Sequence, residues 1–137
     1  MDKLISKLNY KGDKRICILH GKKTFIKAIS KPIKETRIDT EIDPKFLYNF
    51  IIVFAESSKD VDNTFLAAVH NLYEDGIIWY LYPKNSPCDS ENELSRKKGW
   101  NSCKEAGFDA VRHICVDDEL SATRFRNKKF IKRRSKD

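Results

Sequence analysis

The sequence predicts a three-layer α/β domain whose central sheet is mostly parallel, with one reversed strand near its end. Three observations predict it. The apolar runs 16–19, 50–55 and 77–82 are continuous rather than alternating, as in strands buried on both faces. Between them stand segments whose apolar residues recur at helical spacing. The last two strand-like segments are joined by the short turn Asp117-Asp118-Glu119, which makes them antiparallel.

The elements follow in order. Leu4, Ile5 and Leu8 share one side of a short amphipathic helix over 3–9, and Lys11-Gly12-Asp13 is a turn. A strand runs from Arg15 to His20 and stops at Gly21. Phe25, Ile26 and Ile29 mark a helix that Pro32 closes. Thr36–Ile42 alternates apolar and polar residues, the pattern of a half-buried strand near an edge, and Asp43-Pro44 breaks it. The strand 50–55 precedes a helix capped by Ser57 or Ser58, with Val61, Phe65, Leu66, Val69, Leu72 and Tyr73 as its apolar stripe. Asp75-Gly76 turns the chain into the strand 77–82, and Pro83 ends its ladder. Residues 85–93 form a polar loop, and a helix spans roughly 94–106 with Trp100, Cys103 and Ala106 on one side. Gly107 stops that helix, and strands 110–116 and 121–126 complete the sheet.

The chain has 137 residues, 40% hydrophobic and 34% charged, enough for one packed core and too ordered in composition for wholesale disorder. The expected organisation is one domain over 1–126 and a basic, disordered tail over 127–137. No apolar run is long enough to span a membrane, and Met1-Asp2-Lys3-Leu4 lacks the apolar segment of a secretory signal, so a cytoplasmic chain without membrane contact is expected. The net charge of +7 is unevenly placed. Residues 124–137 hold eight basic groups against Asp137, residues 1–34 net +8, and residues 35–123 net −8. Cys17 and Cys115 sit in apolar strand-like runs and Cys103 on an apolar helix face, which reads as packing. Cys88, in the polar loop, is the one candidate reactive thiol. No pair has C-x-x-C spacing, and no cluster has metal-ligand spacing.

Three motifs stand in the second half: Asp75-Gly76-Ile77-Ile78-Trp79 leading to Tyr82-Pro83-Lys84, then Arg96-Lys97-Lys98-Gly99-Trp100, then Asp117-Asp118-Glu119-Leu120-Ser121-Ala122-Thr123-Arg124-Phe125. Together they resemble a small prokaryotic family without an assigned function. The resemblance covers 4–126 and is strongest from residue 74 onward. The departure is Leu120, where that family carries Trp. The family's fold resembles a pared-down S-adenosylmethionine-dependent methyltransferase domain, a Rossmann-like sheet. The resemblance implies the strand order 2-1-3-4-6-5 with the sixth strand antiparallel. It implies no activity by itself.

A cofactor turn of that kind needs several glycines after the first strand, so that the backbone can bend tightly and approach the ligand. Here the segment is Leu19-His20-Gly21-Lys22-Lys23-Thr24, with a single glycine, and neither G-x-G-x-x-G nor a P-loop is present. No cofactor is therefore expected. Asp39 and Glu41 hold the position of a ribose-binding acid.

Ligands of open parallel sheets bind beyond the carboxyl ends of the strands. His20, Glu56, Lys84, Arg96, Asp117 and Asp118 are expected near that edge, with Ser121, Thr123 and Trp100. They suit a small polar or anionic ligand, with Lys84 and Arg96 as anion contacts and Asp117 or Asp118 as base or metal ligand. They equally suit a structural ion pair between the loop and the hairpin turn. His70 reads as solvent-facing or packed, and His113 alternates outward on its strand. The tail residues Lys128, Lys129, Lys132, Arg133 and Arg134, helped by Lys22, Lys23 and Lys27, suit nucleic-acid phosphates. The leading expectation is a non-catalytic binding or interaction domain with a degenerate cofactor site. The alternatives are an S-adenosylmethionine- or nucleotide-binding enzyme of methyltransferase type, and a nucleic-acid binder acting through the tail.

Overall fold

A computed structural model describes residues 2–83 and 100–131. Its elements in chain order are α1 (Asp2–Lys7), β1 (Arg15–Leu19), α2 (Lys23–Ser30), β2 (Arg37–Asp39), β3 (Tyr48–Phe54), α3 (Ser58–His70), β4 (Leu72–Pro83), α4 (Asn101–Glu105), β5 (Phe108–Cys115) and β6 (Leu120–Asn127). Short 3-10 turns follow α2 at Lys31–Ile33 and β6 at Lys128–Phe130. The sheet has the order β2-β1-β3-β4-β6-β5. β1 to β4 pair in parallel, β5 points the same way, and β6 alone is reversed, running against both β4 and β5. This is the predicted architecture and the predicted strand order.

The continuous apolar runs explain the layering. In β3 and β4 successive residues face opposite ways, and both faces are buried. Phe50, Ile52, Trp79 and Leu81 pack against Leu4, Leu8, Phe25 and Ile29 of the α1/α2 layer. Ile51, Val53, Tyr80 and Tyr82 pack against Val61, Phe65, Trp100 and Cys103 of the α3/α4 layer. The Trp79 indole Nε1–H donates to the Leu8 carbonyl at 2.9 Å, pinning the end of α1 to the central strand. A hydrogen bond of this kind contributes about 1 kcal/mol and also answers a buried donor.

Several boundaries differ from the sequence expectation. β2 is three residues long, because Asp39 turns its carboxylate inward to Arg15 and Tyr48 and the chain then leaves the sheet. α3 ends at His70, so Leu72 and Tyr73 belong to β4. Asp75 adopts φ 56°, and the pairing of β3 with β4 shifts register there, so Asp75-Gly76 is a kink inside a strand. Leu66, placed on the apolar stripe by spacing, is 66% exposed because α3 buries its Val61–Phe65–Ala68 side. Cys115, expected to pack, is exposed near the end of the margin strand β5. Ser57 is the cap of α3, its hydroxyl accepting from the Asp60 N–H at 3.3 Å. The expected loop 85–93 and the helix start at 94–99 lie outside the described residues.

Candidate functional site

The carboxyl ends of the parallel strands form one edge of the sheet, and its first station is the bend between β1 and α2. Only His20, Gly21 and Lys22 separate the two elements. His20 turns the chain in the left-handed region at φ 58°, a conformation that favours glycine, and it is exposed. Gly21 is indispensable for a different reason. A Cβ there would lie 2.9 Å from the Ile18 Cγ2 and 3.2 Å from the Phe54 ring. The bare α-carbon is thus covered by the protein's own side chains and lets α2 settle onto the sheet. Lys22 and Lys23 follow, both exposed at the positive end of α2.

The second station is Asp39, at the end of β2. Its Oδ2 accepts from the Arg15 Nε at 2.7 Å and from the Tyr48 hydroxyl at 2.5 Å, and its Oδ1 accepts from the Arg37 Nε at 2.9 Å. Arg15 also donates to Asp43 at 2.8 Å and lies 4.3 Å over the Phe46 ring. Burial pushes the Asp39 carboxyl up, but the hydrogen bonds from Tyr48, Arg15 and Arg37 outweigh it and hold it below the ordinary 3.8. Burial, with Asp39 adjoining, pushes the Tyr48 phenol up to about 12. Asp39 therefore has both carboxylate oxygens committed to partners within the chain. Glu41, the other acid considered there, is exposed.

The third station is at the far side of the edge. The Tyr82 hydroxyl lies 3.2 Å from the His113 Nδ1 and 3.0 Å from the Thr123 Oγ1, and the latter two are 3.2 Å apart. Trp100 packs edge-on to Tyr82 with ring centroids 5.3 Å apart. β4, β5 and β6 each supply one polar atom to this trio. His113 is therefore half-buried and bonded, whereas strand alternation had suggested an outward residue. The signal was present in the hairpin: the turn at 116–119 fixes a register that sets His113 opposite Thr123.

The sequence-predicted residues divide among these stations. His20 follows β1 and Glu56 follows β3, two adjacent strands, and both residues are exposed. Asp117 accepts from the Glu119 and Leu120 N–H groups at 2.7 and 2.8 Å, so its carboxylate shapes the hairpin turn. Asp118 is exposed beside it. Three strand spacings, about 14 Å, separate β1 from β6, so His20 and the Asp117–Asp118 turn do not share one contact site. Lys84, Arg96, Cys88, Lys132, Arg133 and Arg134 lie outside the described residues. Lys128 and Lys129 are exposed on the final 3-10 turn, with the Lys129 Nζ 5.1 Å from the Phe130 ring centre.

Burial pushes the Cys17 and Cys103 thiols up to about 12, which makes them poor nucleophiles. Among the described residues no three His, Cys, Asp or Glu side chains gather as metal ligands. Among them no helix is long and apolar enough to cross a membrane.

No family model matches the chain, and no curated protein does. Solved structures do. The chain is similar to a structure of the fibrillarin/Nop5p complex, at TM-score 0.58 and 12% identity over 85% of this chain and 74% of that one. It is similar to the glycopeptide N-methyltransferase MtfA complexed with sinefungin, at TM-score 0.57 and 7% identity over 92% and 91%. It is also similar to a type 11 methyltransferase assignment from Sulfolobus solfataricus, at TM-score 0.53 and 11% identity over 98% and 95%. At such identities the likeness establishes a methyltransferase-like fold and no activity.

Proposed function

We propose that this chain is a methyltransferase-like domain that works by binding rather than by methyl transfer. The observation that supports this most is the first bend. Its single glycine is packed against Ile18 and Phe54, and its neighbours His20 and Lys22 carry side chains where a cofactor turn needs bare backbone. The committed carboxylate of Asp39 supports it independently. On this reading the ligand is small and polar or anionic. It sits at the carboxyl edge beside His20 and Glu56, while Asp117 and Asp118, with Lys84 and Arg96, form a second contact of the same kind three strand spacings away.

The test is calorimetric titration of the purified chain with S-adenosylmethionine, alongside an assay for consumption of the methyl donor. The proposal expects no saturable heat at millimolar ligand and no turnover. Turnover above the uncatalysed background overturns it.

A second reading, binding of S-adenosylmethionine for methyl transfer, is the one that the structural likenesses favour, since the similar structures include methyltransferases bound to sinefungin and S-adenosylhomocysteine. It predicts a ligand-dependent rise in melting temperature that follows mass action.

A further inference from the structure

The two helical layers differ in charge. α1 exposes Lys3 and Lys7, one helical turn apart. α2 exposes Lys23 and Lys27 at the same spacing, and Lys31 follows on the next turn. Like charges at this spacing weaken a helix, and lysines at the start of α2 oppose its dipole. None of these lysines enters an ion pair among the described residues, where the ion pairs belong to Arg15, Arg37 and Arg126. The α3/α4 layer instead mixes signs, with Lys59 beside Asp60 and Asp62 and Lys104 beside Glu105.

The basic layer continues onto the sheet. Arg124 sits directly across from Trp79, the residue that holds the end of α1. Its other cross-strand neighbour is Arg112. Its Nε is buried without a hydrogen-bond partner. Burial beside Arg126 and Arg112 holds the Arg124 guanidinium below its ordinary value. Among the described residues Asp75 is the carboxylate that opposes this effect, and its oxygens are taken by Arg126 at 2.7 and 2.6 Å, while Asp109 stands opposite Arg126 in the strand register. Lys11 adds a further cation within electrostatic reach of Asp75. Against the cations Arg112, Arg124, Arg126 and Lys11 stand the carboxylates Asp75 and Asp109, so the described cluster carries a surplus of positive charge.

We infer that the face formed by α1, α2 and the Arg112–Arg124 strand pair is a docking surface for the phosphate backbone of duplex DNA. Spread-out lysines supply point charges rather than base-reading forks, which fits backbone contact without sequence preference. The described α1/α2 layer exposes no large apolar side chain for membrane insertion, since Leu47, Leu66, Tyr73 and Val111 lie on other elements. Nor does that layer expose the aromatic platform on which single strands stack. The surface meets the carboxyl edge only at Lys23 and needs no ligand there.

The test is fluorescence anisotropy of the full chain with a labelled duplex, the matching single strand and anionic phosphatidylserine vesicles, across a salt series. The duplex is expected to bind most tightly, with affinity falling about a thousandfold between roughly 50 and 200 mM salt. The variant Lys23→Gln/Lys27→Gln/Lys31→Gln is expected to flatten the log–log salt slope by about three, and Arg112→Gln by about one. These positions are exposed, so the variants keep the core. Lys132→Gln/Arg133→Gln/Arg134→Gln is expected to cost less than the α2 variant. Tighter binding of the single strand or the vesicles overturns the inference. So does duplex affinity that the α2 variant leaves intact, or that the tail variant alone abolishes, or that is absent at the lowest salt.

Discussion

Arg15 and Arg124 occupy matching places at opposite margins of one sheet, each on the strand second from its edge. Their surroundings are opposite. Arg15 is held by two carboxylates at 2.7 and 2.8 Å and lies over the rings of Phe46 and Tyr48. Arg124 has cations for neighbours and a buried Nε without a partner. An arginine whose hydrogen bonds close within the protein is a structural lock, and this lock uses up both oxygens of Asp39. An arginine left in surplus charge is a place for an external anion. The difference separates a margin whose charges close inward from a margin whose positive charge is left over.

The comparison breaks most visibly at Asp39. Asp39→Ala strands the donors of Arg15, Arg37 and Tyr48 and is expected to cost about 3 kcal/mol in urea unfolding. A loss under a tenth of that would show that the lock is ornamental. The same group sets an acid limit. Its pKa is lowered on folding, so its contribution is complete above the ordinary 3.8 and is lost as pH falls through the folded value. Wild type should therefore weaken more steeply than Asp39→Asn between neutral pH and pH 3. Parallel stability profiles would contradict this.

Gly21→Val should follow, at about 1–3 kcal/mol, because its new atoms meet Ile18 and Phe54. Thermal unfolding checks it, and an unchanged melting temperature would mean that the bend has room to spare. At the other margin the sign reverses. Arg124→Met removes an unanswered cation and is expected to be neutral or stabilising by up to about 1 kcal/mol, whereas Arg15→Met destabilises. Equal losses from both would erase the contrast. The smallest effect belongs to Asp75→Asn, whose partner Arg126 is one-third exposed, as is Asp75 itself. Its cost should stay below about 1 kcal/mol and shrink with added salt.

Much of the fold was legible because buried strands and amphipathic helices leave periodic signatures. The runs 50–55 and 77–82, and the Asp117–Glu119 turn, led directly to the parallel core and the reversed strand. What periodicity missed were places where a side chain overrode the pattern. The inward carboxylate of Asp39 shortened β2, and Asp75 at φ 56° extended β4 upstream through a kink. Of the candidate site, the isolation of Gly21 was visible in the sequence, but its packing against Phe54 was not, because that contact joins distant strands. The hairpin register already set His113 opposite Thr123, but Tyr82 joins them from a strand distant in sequence, and the surplus charge around Arg124 was hidden in the same way.

The account rests on the closure of the first bend, and amide chemical shifts read it directly. In a proton–nitrogen spectrum of the full chain titrated with S-adenosylhomocysteine to millimolar concentration, the signals of His20, Gly21 and Lys22 are predicted to stay in place. A saturable shift of those three amides together would contradict the account.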